Sequence, residues 1–180
     1  MRFGFSGAQG TGKTTLLNAL KLEENFGHYM ICDEVTRRVK SYGLPINENG
    51  TDITQRLIMQ EHIINVFLYD SMITDRTAID GLVYTTYLFE EGKVNQETLD
   101  FAHRIFDKVV PMYDYIFYIK PEFKLEDDGI RSPDELFRDR IVDIFNKVIE
   151  ENNVEVFTLS GTVKTRVDQV KNILFSNQEY

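Results

Sequence analysis

A glycine-rich stretch near the start of the chain has the residue types and the spacing of a phosphate-binding loop. The segment GAQGTGKT, residues 7–14, matches the pattern G-x-x-x-x-G-K-[ST] at every fixed position. Glycines let backbone N–H groups converge on phosphate oxygens, and the following helix directs its positive end at the same anion. Lys13 would reach the β- and γ-phosphates, and Thr14 would offer its hydroxyl to Mg²⁺. Because a β-like run precedes the loop and a helical segment follows it, we predict a site for a nucleoside triphosphate or a close relative rather than an ordinary glycine turn.

A second group of chemistry-bearing residues follows the β-like run HYMIC, residues 28–32. Asp33 and Glu34 come directly after it, where the carboxyl end of a parallel strand would face a ligand crevice. Either carboxylate could accept a proton from a hydroxyl that is being phosphorylated. Arg37, one helical turn later, could hold that carboxylate or a phosphate. The alternative is an Asp33 that caps a helix beside surface arginines.

The dipeptide Asp75-Arg76 ends another β-like run, SMIT at residues 71–74. An acid at the end of a central strand beside a phosphate loop is where a magnesium-linked carboxylate is expected, and Arg76 would contact phosphate. In the alternative, Asp75 or Thr77 caps the helix from Ala78 onward, and both roles are compatible. We therefore predict that Asp75 takes part in binding magnesium.

The stretch EDDGIRSPDELFRDR, residues 126–140, mixes acids with three arginines. Its Ser132-Pro133 step predicts a helix start, and apolar residues farther along predict one stripe that faces the core. The start of this helix and the residues before it would therefore project from the domain as a lid that carries Arg131 and Arg138. Arginines in such a position stabilise a transferring phosphoryl group. A solvated charged helix is the alternative, and the phosphate loop makes us favour the lid.

The elements that must position these residues alternate along the chain. Five β-like runs are separated by longer segments with helical spacing, such as 13–21, 53–69 and 99–110. This alternation predicts a three-layer α/β domain with parallel strands and right-handed crossovers. The predicted strands are Arg2–Ser6, His28–Cys32, Ser71–Thr74, Asp114–Ile119 and Val154–Leu159.

Length, charge and cysteine content restrict the class of protein. The chain has 180 residues, which predicts one domain over 1–180 with its lid at about 121–140. The net charge of −9 argues against non-specific binding of nucleic acid, which needs a basic face. No apolar run approaches the roughly 20 residues of a membrane helix, and a single cysteine fits a reducing cytosol. We therefore expect a cytoplasmic protein without a membrane segment.

Several residues with polar or reactive side chains have a simpler interpretation. The three histidines lack the spacing of metal ligands, so no role is assigned to His28, His62 or His103. Cys32 is better explained as a small buried side chain than as a nucleophile. The aromatic run YTTYLF, residues 84–89, is mostly core, although its tyrosines could line a pocket for the base of an acceptor.

Together these segments resemble the branch of P-loop kinases that holds nucleoside monophosphate kinases, deoxynucleoside kinases and the nicotinamide-riboside kinase domains of bifunctional regulators of NAD biosynthesis. The nearest match is the small AAA-like kinase family around the last of these. The resemblance spans nearly the whole chain, and its first motif is highly specific for nucleotide binding. The motifs are GAQGTGKTT at 7–15, DEVTRR at 33–38, DRT at 75–77, DGIRSPDELFRDRI at 128–141 and, more weakly, LSGT at 159–162.

The resemblance implies an α/β P-loop kinase fold with sheet order 2-3-1-4-5 and a kinase that uses ATP and Mg²⁺. It implies that Thr14 and Asp75 hold the metal, and that Glu34, or Asp33, is the base or the acceptor-site carboxylate. The implied catalytic residues are Lys13, Glu34, Asp75, Arg131 and Arg138. The implied ATP-binding residues are Gly7, Ala8, Gln9, Gly10, Thr11, Gly12, Lys13, Thr14, Thr15 and Gly161. The implied acceptor-binding residues are Asp33, Glu34, Arg37 and Arg76.

The resemblance leaves the acceptor open. Val35 stands where deoxynucleoside kinases usually have proline, and Gln9 does not match the arginine-rich loop of thymidylate kinases. Related phage and bacterial kinases phosphorylate hydroxymethylated bases within DNA, which would require a local basic groove. A regulatory NTPase without an acceptor would lack an enclosed second pocket beside Asp33, Glu34 and residues 84–89. We predict transfer of the γ-phosphate to a nucleoside, a nucleotide or a related hydroxyl acceptor, with DNA and the NTPase as alternatives.

Overall fold

The computed structural model describes residues 1–122 and 135–175, and these contain one five-stranded parallel sheet. Its strands are β1 (Arg2–Ser6), β2 (Met30–Cys32), β3 (Met72–Asp75), β4 (Tyr115–Ile119) and β5 (Phe157–Leu159). The strand order is 2-3-1-4-5 and every neighbouring pair is parallel, which confirms the predicted topology. All five predicted strands are present, and β2 to β5 begin slightly later than predicted.

The α-helices of the described residues are α1 (Lys13–Leu20), α2 (Val35–Ser41), α3 (Asp52–Leu68), α4 (Ala78–Glu90), α5 (Gln96–Val109), α6 (Glu135–Glu151) and α7 (Val163–Phe175). The helices predicted over 53–69 and 99–110 correspond to α3 and α5. The predicted start of α6, at Ser132-Pro133, lies outside the described residues. None of the helices that the structure describes is long and apolar enough to cross a membrane.

The sheet separates two hydrophobic layers, because successive side chains of a strand point to opposite faces. On one face, Phe3, Phe5 and Phe117 pack with apolar residues of α1 and α7. On the other face, Ile116 and Tyr118 pack into a larger cluster with residues of α3, α4, α5 and α6. Each fully buried phenylalanine contributes roughly 2–3 kcal/mol. The result is the predicted three-layer α/β arrangement.

The carboxyl ends of β1, β2 and β3 lie side by side at one edge of the sheet. Phe5 of β1 pairs in register with Asp75 of β3. Gly4 allows close packing beside this pair, because a Cβ there would lie 2.6 Å from methyl groups of both Thr74 and Thr77. The three segments that follow these strands therefore share one edge of the sheet, and they carry most of the predicted site residues.

Candidate active site

The phosphate loop begins where β1 ends and runs into the first turn of α1. Gly12 has a left-handed backbone with a φ of 88°, a conformation that glycine adopts at little cost. Gly7 has no room for a side chain, because a Cβ would overlap the carbonyl oxygen of Ile119. These two glycines let the loop curl around the amino end of α1, which is a favourable position for an anion.

The side chain of Lys13 lies inside the loop. Its Nζ donates to the carbonyl oxygens of Gly7 at 2.7 Å and Ala8 at 2.6 Å, and to Thr11 Oγ1 at 3.2 Å. Burial, together with the charge of Arg76, lowers the pKa of Lys13 to about 8. Hydrogen bonds between ionised groups are stronger than those of an ammonium to neutral carbonyls. A bound triphosphate would therefore be a better partner for this buried cation than its own loop.

Thr14 and Asp75, the two predicted magnesium ligands, are in contact. Thr14 Oγ1 donates to Asp75 Oδ2 at 2.5 Å. The other carboxylate oxygen, Oδ1, is buried and has no hydrogen-bond partner among the described residues. Burial and the neighbouring charge of Glu34 raise the pKa of Asp75, so a cation at this point would be stabilising. Hydroxyl and carboxylate oxygens are ligands that Mg²⁺ prefers, and the pair therefore fits this ion.

The two predicted carboxylates after β2 have different partners. Glu34 is buried between two arginines, with Oε1 accepting from Arg76 Nε at 2.7 Å and Oε2 accepting from Arg37 Nε at 3.0 Å. Burial acts to raise the pKa of Glu34, but the ion pair with Arg76 outweighs it and lowers the pKa to about 2. Asp33 is exposed and pairs with Lys21 at 3.2 Å. Of the two acids, Glu34 is the one that contacts Arg37 and Arg76.

Arg76 is fixed from several sides and has an unusual backbone. Its φ is 78°, in the left-handed region that few residues other than glycine adopt. Its Nη1 donates to Asp80 Oδ1 at 3.1 Å, and its guanidinium carbon lies 5.1 Å from the centre of the Tyr84 ring. Asp80 also accepts from the backbone N–H groups of Thr77 at 3.1 Å and Gly7 at 3.4 Å. Asp80 is not among the predicted site residues, although its spacing from Thr77, as in a capping box, is a usable signal.

Gln9 connects the phosphate loop to α4. Its Oε1 accepts from the Tyr84 hydroxyl at 2.8 Å, while its Nε2 is buried without a hydrogen-bond partner in the described part of the chain. Tyr84 in turn packs edge-on against Phe137 of α6, with the ring centres 6.1 Å apart. The phosphate loop, α4 and the helix that follows the predicted lid therefore meet at Tyr84.

Two openings adjoin the pair formed by Arg76 and Glu34. The first is a cleft of about 500 Å³ at the phosphate loop, lined by residues that include Thr14, Glu34, Arg37, Arg38 and Asp75. The second, which we name the α3–α4 pocket, has about 20 Å³ of free volume. Its lining includes Gln55, His62, Arg76, Asp80, Gly81 and Tyr84.

The predicted lid is described only in part. Arg131 lies outside the described residues. Arg138 is half-buried in the first turns of α6. Arg140, two residues later, donates to Glu90 of α4 at 2.8 Å on the surface. The two described arginines of this stretch therefore differ in exposure, since Arg138 is half-buried and Arg140 is exposed.

The loop after β5 is tied to the phosphate loop through α7. The Gly161 N–H, predicted to lie near ATP, donates to Glu122 Oε2 at 3.0 Å. Arg166 of α7 is almost fully buried and donates to the same oxygen at 3.2 Å and to the carbonyl oxygen of Thr11 at 2.7 Å. Arg166 is a second residue missing from the prediction. It lies within an ordinary amphipathic helix, so no local signal distinguishes it. Thr15, by contrast, is exposed on α1.

Solved structures with this fold include several kinases of nucleosides and nucleotides. Deoxyadenosine kinase from M. mycoides with bound dATP matches with a TM-score of 0.62 at 14% identity, over 97% of this chain and 99% of that chain. NadR in complex with NR matches with a TM-score of 0.71 at 19% identity, over 97% of this chain but only 50% of NadR. Thymidylate kinase from Ehrlichia chaffeensis matches with a TM-score of 0.57 at 17% identity, over 97% of each chain. At these identities the likeness shows the fold.

The sheet order and the phosphate loop between β1 and α1 define the P-loop kinase fold. The chain belongs to the family AAA_28, described as an AAA domain, whose model matches residues 2–166. The family match and the shared fold confirm the predicted resemblance to P-loop kinases of the AAA-like family. No curated protein matches the chain by sequence.

Proposed function

We propose that the protein is an ATP-dependent kinase that transfers the γ-phosphate to a hydroxyl of a small nucleoside, nucleotide or related acceptor. The observation that carries this proposal is the α3–α4 pocket, which shares Arg76 with the cluster beside the phosphate loop. An NTPase without an acceptor needs only a nucleotide site at the phosphate loop. A second pocket on the other side of the buried Arg76–Glu34 ion pair from the cleft supports a two-substrate reaction.

The phosphate side would bind and orient the triphosphate of ATP. The Lys13 ammonium would leave the carbonyl oxygens of Gly7 and Ala8 for the phosphate oxygens. Thr14 and Asp75 would hold Mg²⁺, which supplies positive charge at the phosphate oxygens. Because phosphoryl transfer depends mainly on position and charge, these residues can catalyse it without any covalent step on the protein.

Glu34 would orient the acceptor hydroxyl rather than act as a strong base. A carboxylate whose pKa is about 2 has little tendency to take a proton from an alcohol in the ground state. In a loose transition state, the hydroxyl becomes acidic only as its bond to phosphorus forms. Each oxygen of Glu34 accepts one arginine hydrogen bond and keeps a further lone pair for the hydroxyl. Glu34 would then receive the proton late in the reaction.

The charge of the site supports a small acceptor rather than a polymer. The cleft is lined by the acids Asp33, Glu34 and Asp75 as well as by Arg37 and Arg38. A DNA acceptor requires a basic surface that neutralises several phosphates, and the described residues of the cleft do not form one. The named neighbours also bind small molecules: a deoxyadenosine kinase binds dATP, and NadR binds NR.

Transfer of radiolabelled γ-phosphate from ATP in the presence of Mg²⁺ tests the proposal. The acceptors are nucleosides, nucleoside monophosphates, nicotinamide riboside and hydroxymethyl-bearing DNA, with a reaction that lacks any acceptor as the control. We expect label on a small acceptor, and loss of that label in Lys13→Met. Label on DNA alone would favour the polymer alternative, and equal release of free phosphate with and without acceptors would identify an NTPase.

A further inference from the structure

The α3–α4 pocket contains a buried histidine whose hydrogen-bonding groups are unused. His62 has no exposed surface, and neither Nδ1 nor Nε2 has a hydrogen-bond partner among the described residues. A neutral imidazole carries one N–H donor and one lone-pair acceptor. Most buried polar side chains in native proteins are hydrogen-bonded, so two unused nitrogens on one ring indicate that a partner binds there.

The surroundings of His62 keep its ring neutral and fix its position. Burial, and to a lesser degree the charge of Arg76, lower the pKa of His62 to about 3. At neutral pH the ring therefore offers a donor and an acceptor but no charge. Gly81 of α4 faces it, and a Cβ at Gly81 would overlap Met59 Sδ and lie 3.5 Å from His62 Cδ2. The absent side chain lets α4 approach α3 at the level of the imidazole.

The same pocket extends from His62 to the reacting end of the site. Arg76 and Tyr84 line it together with His62, and Arg76 contacts the carboxylate of Glu34. An acceptor whose hydroxyl lies at Glu34 can therefore extend its remaining atoms between α3 and α4. The free volume of about 20 Å³ is enough for a single water molecule, so a larger group must move the walls apart as it binds.

We propose that His62 is a specificity-determining residue that hydrogen-bonds to the polar edge of a heterocyclic ring on the acceptor. This inference rests on the proposed kinase function. A ring of the nucleobase type carries donor and acceptor atoms side by side on its edge, which matches a neutral imidazole. Its planar faces match the apolar walls that Ile58 and Tyr84 supply. A sugar or polyol without such a ring would leave both nitrogens of His62 unpaired.

The substitution His62→Phe tests this role, because it keeps a planar ring and removes both nitrogens. For the acceptor labelled most strongly in the panel above, we expect the KM to rise about tenfold or more with the KM for ATP unchanged. The thermal unfolding midpoint should stay equal or rise, since two unpaired polar atoms leave the core. His62→Gln, which keeps a donor and an acceptor, should recover much of the loss. His103→Phe, on the exposed face of α5, is the matched control.

If His62→Phe has the same KM for the acceptor as the wild type, the inference about His62 is wrong. The kinase proposal would still stand, because it depends on phosphate transfer by the wild type. A lower unfolding midpoint with an unchanged KM would identify a structural histidine that bonds to internal water. Imidazole ¹⁵N resonances give a readout that is independent of turnover, because the chain has only three histidines. Addition of the acceptor that is phosphorylated in the panel should change the ¹⁵N chemical shifts of both His62 nitrogens and leave those of His103 unchanged. Unchanged His62 resonances would contradict the proposal. If the wild type labels no acceptor, the kinase proposal and this inference fail together.

Discussion

The phosphate loop and the α3–α4 pocket are adjacent, yet they are built in opposite ways. The loop is one continuous segment, and its cation Lys13 pairs with carbonyl oxygens of the same loop. The pocket takes its walls from α2, α3 and α4, and His62 within it keeps two nitrogens without partners in the described residues. Under the proposed function this difference is expected: triphosphates are alike in all nucleotides, so a local and general loop would suffice to bind them. Acceptors differ, and their recognition would depend on single residues brought together by the fold.

The largest expected effect concerns Arg138, the predicted lid arginine that lies in the described part of α6. Arg138→Ala should lower the rate of transfer by about 10³-fold or more if this arginine neutralises the phosphoryl charge. The affinity of the Arg138→Ala variant for ATP should change far less than its rate of transfer. Arg140→Ala is the matched control, because Arg140 pairs with Glu90 on the surface, and it should retain nearly full activity. Single-turnover transfer and ATP titration measure the two quantities, and equal effects of the two substitutions would point to a solvated charged helix.

The next effect concerns Arg76, which connects the two regions. Arg76→Met should lower the free energy of unfolding by about 3 kcal/mol or more, because Asp80 and Glu34 would stay buried after losing their ion pairs with Arg76, although Glu34 keeps its bond from Arg37. Arg38→Met removes an exposed ion pair with Glu61 and should cost about 1 kcal/mol or less. Denaturant unfolding at neutral pH compares the two variants. If both lose the same small amount, Arg76 does not hold the two regions together.

The smallest expected effect is a pH dependence of ATP binding, which would distinguish the phosphate loop from the α3–α4 pocket. The pKa of Lys13 is about 8 in the free protein, and bound phosphates would raise it because they favour the ammonium form. ATP binding should therefore take up a proton, and affinity should fall about tenfold between pH 7.5 and pH 9. Binding of the acceptor near neutral His62 should not change over this range. Calorimetry in buffers of different ionisation enthalpy measures the proton uptake.

A Lys13→Arg variant is the control for this pH profile. An arginine stays charged throughout the range, so its ATP affinity should be independent of pH whatever its absolute value. A flat profile in the wild type as well would show that Lys13 keeps an ordinary pKa and that its burial in the loop does not affect its protonation.

The same contrast explains which features could be predicted from the sequence. The alternating elements and the contiguous glycine-rich loop are local patterns and were predictable from the residues, whereas the sheet order followed from the resemblance to P-loop kinases. Asp80 has a weak signal in its spacing from Thr77. His62 and Arg166 have none, because a polar residue in a helix looks the same whether it faces solvent or the core. Their burial depends on which helices pack together, and that is decided by contacts between residues distant in the sequence.

The bond from Arg166 to the Thr11 carbonyl has a consequence for how the protein is made. The two residues are 155 positions apart, so the phosphate loop is synthesised well before Arg166 and is completed only after α7 has been made. At ribosomal rates of 5–20 residues per second, the interval is roughly 8–30 s. During that time the nascent chain carries the whole nucleotide-binding motif without the guanidinium that braces its backbone. ATP is therefore poorly suited to guide the early folding of this chain, and its binding should report that α7 has docked.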